Sequence, residues 1–143
     1  MGAEEIDIED DARRHAIKAY LLDTCTLLWA TNKPEHLSGA ARAILREPNG
    51  MIAVSVLNYW EIANKAEKHG IADIGEWWEH RVIPFVDLET IQVREEHVTD
   101  MLRLPKHHKD PFDRMLIAQA RVESMILVTP DKYIRAYDVR TVW

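Results

Sequence analysis

Three short apolar runs, Tyr20-Leu21-Leu22, Met51-Ile52-Ala53-Val54 and Met125-Ile126-Leu127-Val128, alternate with longer helix-forming stretches. Runs this short, apolar at every position, suit strands covered on both faces, and such strands belong to parallel sheets wrapped by helices. The expected fold is therefore α/β, a single domain over 20–143 with a mostly parallel central sheet flanked by helices on both faces. Asp23 ends the first run and leads into a helix, and Ser38 is placed to cap a helix through Leu45, closed by Pro48-Asn49-Gly50. Ser55 starts a helix with Tyr59, Trp60, Ile62 and Ala63 that stops near Gly70. Further helices are predicted over Gly75–Arg81, Glu95–Leu104 and Asp110–Glu123, with a short strand at Pro84–Leu88 and a last one near Val139–Val142.

Composition narrows the function. A chain of 143 residues buries enough surface to fold without a staple, and its one cysteine, Cys25, cannot bridge internally, which fits a reducing compartment. The start Met-Gly-Ala-Glu-Glu lacks the basic and apolar regions of a secretory signal, and no run approaches a membrane span. A cytoplasmic location and no membrane partner are expected. The net charge of −6 argues against indiscriminate nucleic-acid binding. Residues 1–19, however, carry six acids against three bases and read as a mobile acidic extension. The rest holds 18 acids and 15 bases, and four acids around divalent cations would leave it near neutral, so a phosphate substrate is not excluded. The five glycines fit neither the dinucleotide fingerprint nor the triphosphate loop, which excludes the usual ATPase and nicotinamide sites.

In open parallel sheets ligands collect beyond the carboxyl ends of the strands. Asp23 follows the first strand, Asp131 follows the Met125–Val128 strand through the Thr129-Pro130 turn, Glu61 lies in the helix after the second strand, and Asp113 is in the first turn of its helix. Each has a structural reading as well. Asp23 suits a helix cap, Glu61 an i,i+4 pair with Lys65, Asp110 and Asp113 a cap and a dipole partner around Pro111, and Asp131 a turn. If the acids converge, their repulsion demands a cation, and an oxygen-only set suits Mg²⁺ or Mn²⁺. Zinc is disfavoured because His107 and His108 are adjacent, and surface exposure is the default reading for both.

Leu21-Leu22-Asp23-Thr24, Ser55 with Trp60-Glu61-Ile62-Ala63 and Lys65, the stretch His108-Lys109-Asp110-Pro111-Phe112-Asp113-Arg114 running to Ala120, Leu127-Val128-Thr129 with Asp131, and the ending Tyr137-Asp138-Val139 with Trp143 together resemble the PIN-domain ribonucleases, specifically the VapC-type toxins of bacterial toxin–antitoxin pairs. The resemblance covers Tyr20 to Trp143. It implies that Asp23, Glu61, Asp113 and Asp131 form the catalytic acidic site for Mg²⁺ or Mn²⁺, with Asp110 as a cap or supporting group. Thr24, Ser55 and Thr129 would orient these carboxylates or metal-bound waters. It also implies an RNA substrate, a cognate antitoxin partner and a homodimer. Cys25 stands where a His is frequent and Asn58 where a Ser is frequent.

Metal-assisted phosphodiester hydrolysis needs no nucleophilic side chain. Lys65, Lys109 and Arg114 stand beside the acids, as phosphate contacts or as salt-bridge partners of those acids. The surplus aromatics Trp77 and Trp78 suit either an interface or the core. An aspartyl phosphatase built on Asp23 fails, because Cys25 occupies the position that needs a second Asp. A catalytically inactive binding domain on the same fold is the rival from another class.

Overall fold

The computed structural model describes residues 17–143, so the expectation for the extension 1–19 falls, as far as residue 16, outside the described residues. Strand β1 runs Lys18–Leu22, starting two residues before the expected boundary, and β2 (Gly50–Ala53), β3 (Ile126–Val128) and β4 (Thr141–Val142) complete a four-stranded sheet. The order is β2-β1-β3-β4 and every pairing is parallel, with Leu21 opposite Ala53 and Leu22 opposite Val128. Because β2 lies on one side of β1 and β3 on the other, the connections reverse direction between β1 and β3. That reversal opens a crevice at their carboxyl ends.

Successive residues of β1 face opposite layers. Tyr20 and Leu22 join Leu27, Ile44, Ile52, Ile62 and Trp78 in one core, whereas Leu21 joins Ala53, Leu57, Leu116, Ile117 and Leu127 in the other. Helices α1 (Thr24–Asn32) and α2 (Gly39–Leu45) cover the first layer, and α6 (Pro111–Val122) covers the second together with the end of α5 (Glu95–Arg103). Helix α3 (Val56–Asn64) serves both, through Ile62 and Leu57. The capping chemistry read from sequence is present: Asp23, Ser38, Ser55 and Asp110 each accept a backbone N–H of the helix they precede.

Several element boundaries differ from expectation. Helix α3 ends at Asn64, and the chain continues in turns to Gly70, whose φ of +69° closes them with Ile71 N–H donating to Ala66 and Gly70 N–H to Glu67. That pairing is a glycine C-terminal cap, so the stop signal was real but terminated turns rather than helix. The Gly75–Arg81 prediction splits into α4 (Ile74–Trp77) and a π-turn over Trp78–Val82. Pro84–Leu88 is not a strand: Ile83–Phe85 forms a 3₁₀ turn, after which Asp87, Leu88 and Ile91 donate to the β2 edge at Ile52 and Val54. Proline at 84 lacks the amide a ladder needs, so this segment caps the sheet edge loosely without joining it. The last strand is confined to Thr141–Val142.

Candidate metal centre

Asp23 sits at the reversal point. Its backbone N–H donates to Val128 at 3.2 Å, extending the β1–β3 pairing, while its carboxylate caps α1 by accepting from Thr26 N–H at 2.8 Å. The other carboxylate oxygen accepts from the Thr129 hydroxyl at 2.5 Å, and that hydroxyl also receives the Asp131 amide at 3.1 Å. Asp23 is thus both a cap and a member of the site. Burial raises its pKa, the bonds from Thr129 and Thr26 only partly offsetting this and the charge of Asp131 adding to it.

Asp113, one turn into α6, lines the same cavity of about 340 Å³ as Asp23, Thr24, Cys25, Glu61 and Asp131. Its carboxyl is pushed up to about 7, first by burial and next by the Asp110 charge, with Glu61 and Asp23 contributing and His108 opposing. Asp110 itself points into the helix start, accepting Phe112 N–H at 2.8 Å. At Asp131, burial pushes upward but is outweighed by hydrogen bonds from His108 and the Tyr133 amide, leaving its pKa below the usual range. The structure therefore gathers the four predicted acids around one cavity.

Glu61 contributes the most telling atom. Its Oε2 lies 3.8 Å from Lys65 Nζ, but its Oε1 is buried with no partner among the described residues. A buried acceptor left unmade costs about 1–3 kcal/mol, more for a charged group, so such an oxygen is expected only where something else binds it. An orphaned carboxylate oxygen, two carboxyls driven toward protonation and an all-oxygen donor set fit a hard divalent cation. Asp23, Glu61, Asp113 and Asp131 are the residues that would hold it.

His108 is the residue that sequence reading placed wrongly. It is largely enclosed: Nε2 lies 2.9 Å from Asp131 and 3.1 Å from Asp113, and its backbone N–H donates to the Tyr137 hydroxyl at 2.8 Å. His108, Asp113 and Asp131 offer atoms within 4.8 Å of one another. Yet Nδ1 faces the Asp110 amide at 3.0 Å, and an amide N–H can only donate, so Nδ1 carries a lone pair and the ring proton sits on Nε2. In that tautomer Nε2 is a donor to the two aspartates and not a metal ligand. The signal available in sequence was the position of His108 two residues before a capping aspartate.

Two supporting assignments also change. Ser55 does not reach the acids; its hydroxyl accepts Leu57 N–H at 3.0 Å and caps α3. The positioning falls to Asn58, fully buried, which accepts Ser55 N–H and donates to Leu22 C=O at 3.3 Å and Thr24 Oγ1 at 3.1 Å. Asn58 thus ties the start of α3 to the end of β1, and with it the placement of Glu61. Arg114 does not face the cavity; its guanidinium donates to the carbonyls of Met101 and Leu104 at 3.1 Å each, satisfying the end of α5. Lys65 and Lys109 border a separate groove beside Glu61, Asn64 and Phe112.

The PIN domain family model matches residues 20–140. The chain belongs to the PIN domain family. Among solved structures, this PIN domain is similar to VapBC2 from Rickettsia felis bound to a DNA fragment from their promoter, with 18% identity, a TM-score of 0.66, and coverage of 87% of this chain and 97% of that one. It is similar also to FitAcB from Neisseria gonorrhoeae, with 16% identity, a TM-score of 0.63 and coverage of 87% and 96%. VapBC-5 from Mycobacterium tuberculosis, a member of the VapBC family of toxin–antitoxin systems, gives 19%, 0.54, and 82% and 89%. At such identities the likeness is one of fold. A comparison with curated protein sequences finds no significant match.

Proposed function

We propose that this PIN domain is a divalent-metal-dependent endoribonuclease, the toxin of a toxin–antitoxin pair. The observation that carries the reading is the cavity where Asp23, Glu61, Asp113 and Asp131 meet with one Glu61 oxygen buried and unpartnered. Bound Mg²⁺ or Mn²⁺ would supply a hydroxide-like water and charge neutralisation on a phosphodiester. The chain's own share is placement: Thr129 fixes Asp23, Asn58 fixes the start of α3, and His108 holds Asp113 and Asp131. RNA as substrate follows the VapC resemblance.

The antitoxin is supported by the VapBC complexes among the similar structures. On this chain the suitable apolar surface is Trp60, 57% exposed and edge-on to Phe112 at 4.9 Å, directly beside Glu61. Trp77 and Trp78, by contrast, pack in the core. A homodimer is proposed with it, on the resemblance alone. The test is RNA cleavage in Mg²⁺ or Mn²⁺ with Asp23→Asn and Glu61→Gln as controls. Cleavage lost in both variants is expected, and equal activity in all three proteins overturns the metal site. Absence of cleavage on every RNA offered favours the inactive binding domain.

A further inference from the structure

We propose that the groove between α1 and α3 is the binding track for one flank of a single-stranded RNA, holding the nucleotide next to the cleaved bond. The inference rests on the ribonuclease reading and says where its substrate lies. The groove encloses about 350 Å³ and shares Thr24, Cys25 and Glu61 with the carboxylate cavity, so the two are continuous. The groove on the other side of α3 shares only Glu61 with that cavity. Of the two grooves that meet Glu61, the one along α1 shares more of its wall with the acids and is therefore the broader exit for a chain leaving them.

The walls of that exit suit a nucleotide. Lys33, Lys65 and Lys68 line it with exposed ammonium groups, and His69 stands beside them. Among the described residues Lys33 and Lys68 make no ion pair, whereas Lys65 is engaged by Glu61. Cations ranged along one side of an acidic metal site are what a polyanion needs to approach it, since the acids alone repel phosphate. The floor is apolar, formed by Leu28, Trp29 and Ile62. The Trp29 ring is pinned between His36, at 5.4 Å, and Trp143, at 5.7 Å, so little side-chain freedom remains to be lost when a base packs on this floor. The groove offers room for roughly one nucleotide. A strand with separable bases is thus the occupant that charge, floor and size select.

The test uses the full chain and labelled single-stranded RNA oligonucleotides in EDTA for binding, and in Mn²⁺ for cleavage. Lys33→Glu with Lys68→Glu is expected to raise Kd and KM at least tenfold with kcat little changed, and to lower the salt slope of log Kd by about two. Arg46→Glu, an exposed charge after α2 at the amino end of the sheet, should change neither. Shortening the RNA from one end, but not from the other, should abolish the penalty. Bound RNA should also protect Cys25, the single cysteine and a member of both cavities, from iodoacetamide in the wild type. Wild-type protein that cleaves RNA with equal KM in the double variant overturns the groove and leaves the ribonuclease reading standing. RNA binding that depends on Lys33 and Lys68 without any cleavage overturns the ribonuclease reading and leaves the groove standing. No binding by the wild type, or equal penalties with RNA shortened from either end, overturns the inference.

Discussion

Removing divalent cations should make this protein less stable at pH 8 than at pH 5.5, because Asp113 prefers its proton when folded. Its carboxyl moves from the ordinary 3.8 to about 7 in the folded chain. A raised carboxyl pKa means the folded state binds the proton more tightly, so the associated stability is complete below the unfolded value and fades as pH rises through the folded one. About 1.5 of those units are given up between pH 5.5 and 8, which at 1.36 kcal/mol per unit is about 2 kcal/mol. For a chain of this size that is roughly 5–8 °C in Tm. Asp23, raised by burial, acts in the same direction, while Asp131, held below its usual range, contributes only at more acidic pH. Thermal unfolding followed by circular dichroism in EDTA and in Mg²⁺ at both pH values reads this out. Mg²⁺ should stabilise more at pH 8, and Asp113→Asn should flatten the slope in EDTA. An Asp113→Asn protein with the wild-type slope, or equal Mg²⁺ stabilisation at both pH values, would refute the reasoning.

Asp110→Ala should cost about 1 kcal/mol in denaturant unfolding through the lost cap while keeping Mn²⁺ binding, whereas Asp113→Asn should abolish that binding in calorimetry. His108→Ala should lower Mn²⁺ affinity by about 10–100-fold by freeing Asp113 and Asp131, since Nε2 carries the ring proton and orients them; a loss well beyond a hundredfold would make His108 a ligand. Arg114→Met should destabilise by about 1–3 kcal/mol by stripping the Leu104 carbonyl of its donor and leaving the Met101 carbonyl with only the Leu104 N–H, with KM unchanged. The Cys25 thiol, pushed up to about 11 by burial and then by Asp23, Asp113, Asp131 and Glu61, should react slowly with iodoacetamide at pH 8.5 and faster once Mg²⁺ offsets those charges.

The sequence carried the parts that depend on local chemistry. Apolar runs marked β1, β2 and β3, and Asp23, Ser38, Ser55 and Asp110 were legible as caps because a cap needs only its own helix start. Asp23, Glu61 and Asp131 were findable because each comes shortly after a strand, and Asp113 because it lies in the first turn of a helix with a legible cap. What escaped was every role fixed by a partner far along the chain. Ser55 and Asn58 are three residues apart, and which of them reaches Leu22 and Thr24 is decided by how α3 docks on β1. Arg114 had acids as neighbours in sequence but carbonyls of α5 as neighbours in space. His108 looked like a loop residue until Asp131, 23 residues on, folded onto it.

The hydroxyl bond from Thr129 to Asp23 joins residues 106 positions apart. No contiguous fragment that stops short of Asp131 contains the site, however well the earlier helices form. Under the ribonuclease reading, a nascent chain would lack a complete acidic site until Asp131 has been made. The same feature makes the site all-or-none toward proteolysis: a cut anywhere between Val128 and Asp131 that frees the later segment disarms the chain without touching the earlier acids.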